Sequence, residues 1–200
     1  PHLIKSMQYD ALADFDAITA AVQAPNVLVV PANSPHKSLA DVVAHEKANP
    51  GKMSFASSGN GSSDHLTAEL FWLESGTTGL HVPYKGAPPA LQDLVAGNIA
   101  ANIAVISTVL PSIQSGQLRA LMTPAPARSA QLPNVPTARE AGFADLEAIE
   151  TFGLLLPSGA PQSAIAALNA ALRNALANAA VREGLGRLSF EPAVSSPDDH

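Results

Sequence analysis

The sequence predicts an α/β fold, and three observations carry that expectation. Short β-rich runs alternate with segments of helical pattern along the whole chain. The helical segments open on Ser, Thr or Pro and close on Gly, as helix ends require. An apolar fraction of 46% over 200 residues is enough to bury a core, in one large α/β domain or two small lobes.

The elements follow in order. Asn26-Val27-Leu28-Val29-Val30 reads as a buried strand closed by Pro31 and Pro35. Ser38-Leu39-Ala40-Asp41 is a capping box that opens a helix to about Ala48, stopped by Pro50-Gly51. Lys52 to Ala56 is a second strand. Ser57 to Ser63 is a glycine and serine loop feeding a helix from about Asp64 to Ser75. Leu80-His81-Val82 is a third strand, and Pro83-Tyr84-Lys85-Gly86 leads into a helix that begins at Pro88 or Pro89 and ends at Gly97. Ile99 to Ile106 is a strand, Ser107 to Ser115 a short helix and Leu118 to Met122 another strand. From Thr123 to Pro136 the texture is proline, alanine and serine, which reads as a surface connection. Thr137-Ala138-Arg139-Glu140 is a second capping box, Ile149 to Leu155 is strand-like, and Gln162 to about Ala180 is an alanine-rich amphipathic helix. Ser196-Pro197-Asp198-Asp199 has the form of a helix start, so the sequence is expected to be truncated there.

Composition narrows the function classes. A net charge of −6 with 11 scattered basic residues gives no basic stripe for nucleic acid. It leaves an anionic small molecule open, because backbone amides can hold a carboxylate without a positively charged protein. With no cysteine there is neither a disulfide frame nor thiolate chemistry. Apolar stretches such as Asn26–Val30 and Phe152–Leu156 are too short to span a bilayer. Pro1 to Lys5 lacks the basic start and apolar core of a secretory signal.

The loop Ser57-Ser58-Gly59-Asn60-Gly61-Ser62-Ser63 is the richest segment for chemistry. It joins a strand end to a helix start, where unpaired N–H groups and the helix dipole favour an anion. Gly59 and Gly61 allow close backbone approach, and the serines and Asn60 add neutral donors. The bland reading is a serine-rich turn in which Ser62 or Ser63 only caps the helix. Gly59-Asn60-Gly61 lacks the third glycine of a dinucleotide fingerprint, since Asp64 stands there, and no G-x-S-x-G elbow occurs. Tyr84 and Gly86 follow another strand end and are expected at the same sheet edge, where ligands of open α/β sheets sit. His65 and Glu69 share a helix face but lack a third metal ligand, and no metal or cofactor is expected. His81 reads as a packed histidine, and His36 and His45 as surface residues.

Taken together, Tyr9-Asp10, Ala24-Pro25-Asn26, Pro50-Gly51-Lys52, Ala56 to Ser63, His81 to Gly86, Gly116 to Leu121, Pro133 to Thr137, Glu140-Ala141-Gly142 and Phe152-Gly153-Leu154 resemble the tripartite tricarboxylate transporter substrate receptors, the Bug family of periplasmic binding proteins. The resemblance covers nearly the whole chain. It implies a two-lobed Venus flytrap in the periplasm that is not an enzyme, delivering a small organic carboxylate to integral-membrane permease subunits. On that basis residues 27–136 form lobe two, and residues 1–26 and 137–200 belong to lobe one, whose first glycine-rich loop precedes Pro1 in the family pattern. Ser57, Ser58, Gly59, Asn60, Gly61, Ser62 and Ser63 would hold one carboxylate, with Tyr84 and Gly86 as the neighbouring wall and hinge crossings near Ala24–Val27 and Thr123. The family often has a polar residue near Ala104, so apolar Ala104 disfavours an amine contact at that position. Thr151 replaces an aromatic residue common before Phe152. Three rival readings stand beside this one, the first a sensory receptor of the same kind without a transport role. The effector domain of a flytrap-type regulator would need a helix-turn-helix, which is not visible upstream of the first strand. An esterase using the serine loop would need a histidine base, which no motif positions.

Overall fold

A computed structural model describes residues 7–196 of the chain; the helix start expected at Ser196 to Asp199 lies mostly outside the described residues. The chain divides into two compact units, one formed by residues 25–150 and one by residues 1–24 with 151–200.

The larger unit is an α/β sheet built as the alternation of runs requires. Strands β1 (Phe15–Pro31), β2 (Ser54–Ser57), β3 (Leu80–Pro83), β4 (Ala101–Val105) and β5 (Leu118–Met122) lie in the order β3-β2-β4-β1-β5. Strand β2 runs parallel to β3 and β4, whereas β1 is antiparallel to β4 and β5. Alternation at period two sends neighbouring side chains to opposite faces. Leu28, Val30 and Phe55 enter one core with Phe71 and Trp72, while Val27, Val29 and Ala56 enter a second with Ala90, Leu94 and Val109. Both faces of the sheet are therefore covered by helices, which is why Asn26–Val30 shows no polar alternation.

Helix α1 (Leu39–Ala48) starts at Ser38, whose hydroxyl accepts from Asp41 N–H while the Asp41 carboxylate accepts from Ser38 N–H. Helix α2 (Ser63–Ser75) ends on left-handed Gly76, and α3 (Ala87–Ala96) on left-handed Gly97. Helix α4 (Ile106–Gln114) follows β4 directly. The second capping box forms its reciprocal hydrogen bonds, Glu140 N–H to Thr137 Oγ1 at 3.1 Å and Thr137 N–H to the Glu140 carboxylate at 2.8 Å, but closes a turn and not a helix.

Contacts carry the larger unit on to Glu150, past the boundary expected at 136. The reason is physical: Thr137 bridges Thr123, and Ala138 and Leu146 are buried in the core that holds Phe55 and Trp72. The connection from Thr123 to Pro136 is likewise not all surface, since Thr123 and Ala125 are buried.

In the smaller unit, β6 (Ile149–Pro157) and the short β7 (Glu191–Pro192) pair with the first part of β1. The single long helix expected from Gln162 is broken in two, α5 (Gln162–Ala177) and α6 (Ala179–Arg187), because Asn178 leaves helical geometry and caps the second helix through its side chain. Phe152, Leu154 and Leu155 of β6 are substantially exposed.

Candidate functional site

Parallel register places the ends of β2 and β3 side by side, with Ser57 opposite Pro83. The two glycine loops therefore leave the same carboxyl edge of the sheet, and backbone bonds tie them together. Tyr84 N–H donates to Ser57 C=O at 2.9 Å and Gly86 N–H to Ser58 C=O at 3.0 Å. Gly59, Gly61 and Gly86 have φ of +147°, +78° and +103°, backbone that L side chains rarely adopt.

Most donors of the first loop are engaged in holding its own shape. Ser58 N–H and hydroxyl both donate to the Asp64 carboxylate, at 2.7 and 2.8 Å. Gly59 N–H reaches Ser57 Oγ, Gly61 N–H reaches His65 Nδ1 at 3.0 Å, and Ser62 donates to Gly59 C=O through both N–H and hydroxyl. Ser62 is the N-cap of α2 but forms no side-chain cap. The first-turn N–H groups, beginning with Ser63, are thus left without a capping acceptor, which is what an anion needs at a helix start. Asn60, at the exposed tip, has no acceptor for its N–H among the described residues. Helix α3 begins in the same way: its N-cap is Gly86, which has no side chain to offer. The donors left open are accordingly fewer than the serine count suggests: they are the Asn60 N–H and the first-turn N–H groups of α2, since the Ser63 hydroxyl is engaged with Glu150.

The remaining expected residues are placed as follows. The Tyr84 hydroxyl donates to Asp93 at 2.6 Å, and that bond first, then burial, raises its pKa to about 12; the phenol is a held wall and its proton is already engaged. Ala104 is 5% exposed and packs in the second core, paired with Val27. His65 contacts Glu69 at 3.4 Å as an ordinary i,i+4 pair, and among the described residues no group of three or more His, Cys, Asp or Glu could hold a metal.

Two features of the site were not legible in the sequence. His81 stacks on His65 with ring centres 3.8 Å apart and lies 2.6 Å from Ser57 Oγ. Burial and the neighbouring His65 charge hold the His81 pKa below its usual range, so the ring is neutral at neutral pH. A serine next to a histidine is the start of a nucleophile, yet Ser57 is completely buried and its hydroxyl also serves Gly59. The pair props the loop from beneath. Asn26 is the second: it ends the run of β1 that pairs with β4, at the same sheet edge as the loops, and is 1% exposed. A strand-forming context hides such a residue; only its polar character in an apolar run could have pointed to it.

Comparison with known proteins agrees with this architecture. The chain is 37% identical over 191 residues to a UPF0065 protein from the tcbD-tcbE intergenic region of Pseudomonas sp. strain P51, covering 95% of this chain and 57% of that one. It is 36% identical to the protein BugT of Bordetella pertussis, covering 98% of this chain and 60% of BugT. The chain thus spans about three fifths of the length of these relatives. Among solved structures it matches an R. palustris protein with adipate at a TM-score of 0.91 and 30% identity, covering 98% of this chain and 66% of that one. It also matches MatC of Rhodopseudomonas palustris with bound malate at a TM-score of 0.85 and 29% identity, covering 94% and 64%. The fold is that of periplasmic binding proteins, and the family and its structural neighbours are solute-binding receptors. The family described as "Tripartite tricarboxylate transporter family receptor" matches residues 1–200, and the chain belongs to it.

Proposed function

We propose that the protein is a periplasmic receptor that binds a small organic carboxylate and presents it to the membrane permease of a tripartite tricarboxylate-type transporter, without catalysing a reaction. The observation that carries this reading is the uncapped start of α2 beneath a glycine loop, at the carboxyl edge of the sheet and bonded to a second glycine loop. Neutral N–H donors in that setting hold a carboxylate through the helix dipole and short hydrogen bonds, and release it without breaking a buried ion pair. Adipate and malate in the related solved structures belong to the same chemical class.

In this reading Asn60, Ser63 and the first turn of α2 contact the carboxylate directly. Ser57, Ser58, Gly59, Gly61 and Ser62 shape the loop, Tyr84 and Gly86 wall it, and Ala104 supports the floor from within the core. Residues 25–150 would be the lobe that closes, with crossings at residues 24–25 and 150–151. The test is calorimetric titration of the full-length protein with di- and tricarboxylates. Binding of at least one diacid is expected, and binding of sugars or cations with no carboxylate bound would overturn the reading.

A further inference from the structure

Two stacked histidines lie beneath the glycine loop, and one of them bonds directly to the loop backbone. His65 is the third residue of α2, and its Nδ1 accepts from the Gly61 N–H at 3.0 Å. Gly61 has φ of +78°, and Ser62, the N-cap of α2, follows it directly. This side-chain bond therefore helps hold the turn between Asn60 and the first turn of α2, the two places whose N–H groups are open. An imidazole nitrogen accepts only while it carries no proton, so the bond requires a neutral His65 with its proton on Nε2. Nε2 lies 3.4 Å from Glu69 Oε1, an acceptor that suits this tautomer.

We infer that His65 is the positioning residue of the carboxylate loop, and that the receptor binds its ligand more weakly as pH falls because a proton on His65 Nδ1 sets a second donor against the Gly61 N–H. The inference rests on the carboxylate reading above and adds how that site is kept in shape and how it responds to pH.

His81 stacks on His65 with ring centres 3.8 Å apart and planes 13° from parallel, so charges on both rings would repel directly. Burial first, and then a charge on His65, hold the His81 pKa below its usual range. A proton on His81 would in any case leave the loop bonded. Ser57 Oγ lies 2.6 Å from His81 Nε2, and that hydroxyl can accept from a protonated ring while donating to Gly59 C=O at 3.2 Å. At His65, by contrast, the proton removes a bond of the loop itself. The other titratable groups facing the pair are the carboxylates of Asp64 and Glu69. Asp64 already holds the Ser58 N–H and hydroxyl, and Glu69 is 55% exposed, so water screens much of its pull. Both carboxylates favour a charge on the pair, and the stack accommodates one.

The test is calorimetric titration of the full-length protein with succinate, malate, adipate and citrate across the histidine range, from about pH 8 to about pH 5, in wild type, His65→Asn and His65→Ala. Asparagine sets its Oδ1 where histidine has Nδ1, accepts from an N–H and does not titrate. At the upper pH, His65→Ala is expected to weaken binding about tenfold, and His65→Asn to restore most of that loss, with circular dichroism showing that both variants are folded. Protonation of the acid itself weakens binding alike in every variant. Beyond that shared loss, the wild type should lose about tenfold more affinity than His65→Asn on acidification. The ligand-free protein gives a second readout: the imidazole nitrogen shifts in NMR should show the Nε2–H tautomer of His65 at the upper pH. Parallel pH profiles in wild type and His65→Asn, equal weakening by Asn and Ala, or an Nδ1–H tautomer overturns the positioning role and leaves the carboxylate reading standing. Failure of all four acids to bind overturns both.

Discussion

Glu46 on α1 has no exposed surface, and its two carboxylate oxygens accept from Trp72 Nε1 at 2.9 Å and Thr77 Oγ1 at 2.8 Å. Burial pushes its pKa up, and the two hydrogen bonds only partly oppose that push. The sign for stability follows from linkage. A carboxyl whose folded pKa is raised holds its proton more tightly in the folded state, so its contribution is complete below the ordinary glutamate value of about 4.3 and is lost as pH rises through the folded value. Urea unfolding measured from about pH 4.5 toward neutrality should therefore show a loss of stability in the wild type that is smaller in Glu46→Gln. An identical pH dependence in the two proteins would show that Glu46 is not strained by burial. The sequence carries no sign of this carboxylate, because a glutamate on a helix ordinarily faces water. The same holds at Gly79, where a Cβ would overlap the Trp72 indole ring. The need for glycine comes from a side chain on another element, and only the fold brings the two together.

Among the elements, local signals are legible wherever the chain closes its own hydrogen bonds. The Ser38 cap, the left-handed Gly76 and Gly97 and the glycine loop after β2 are all set by residues within a few positions of one another. The same chemistry misled where context decides: Thr137 and Glu140 make both bonds of a capping box and no helix follows, since the next residues pack as a turn on the core. The site divided along the same line. Glycine positions were legible, but which serines are internally satisfied depends on Asp64 and His65 of α2 and on His81 of β3. The loop makes a direct prediction. Gly59 has φ of +147°, and a Cβ there would also stand 3.6 Å from Tyr84 C=O. Gly59→Ala should cost roughly 1–3 kcal/mol in strain or relax by moving the loop. Carboxylate affinity should then fall about tenfold or more by calorimetry, while α2 and the core stay folded by circular dichroism. Unchanged affinity would place the carboxylate elsewhere.

For the whole molecule, the decisive quantity is how the core divides. Every buried residue of the two large apolar clusters lies between Val27 and Leu146, inside the unit formed by residues 25–150. The α/β class and the single long-range alternation were legible because strands and helices follow one another locally. The boundary at Glu150 was not, because the segment 137–150 has loop composition and is held by tertiary burial of Ala138 and Leu146. A unit that owns its core and closes its own sheet should fold alone. Residues 25–150 expressed as a separate polypeptide are expected to unfold in urea as one cooperative transition. Trp72, the only tryptophan, is buried against Phe55 with ring centres 5.3 Å apart and reports tertiary packing, while circular dichroism reports the helices. The two probes should share one midpoint. If the fragment shows helical signal without a cooperative Trp72 transition, the core of residues 25–150 depends on the rest of the chain.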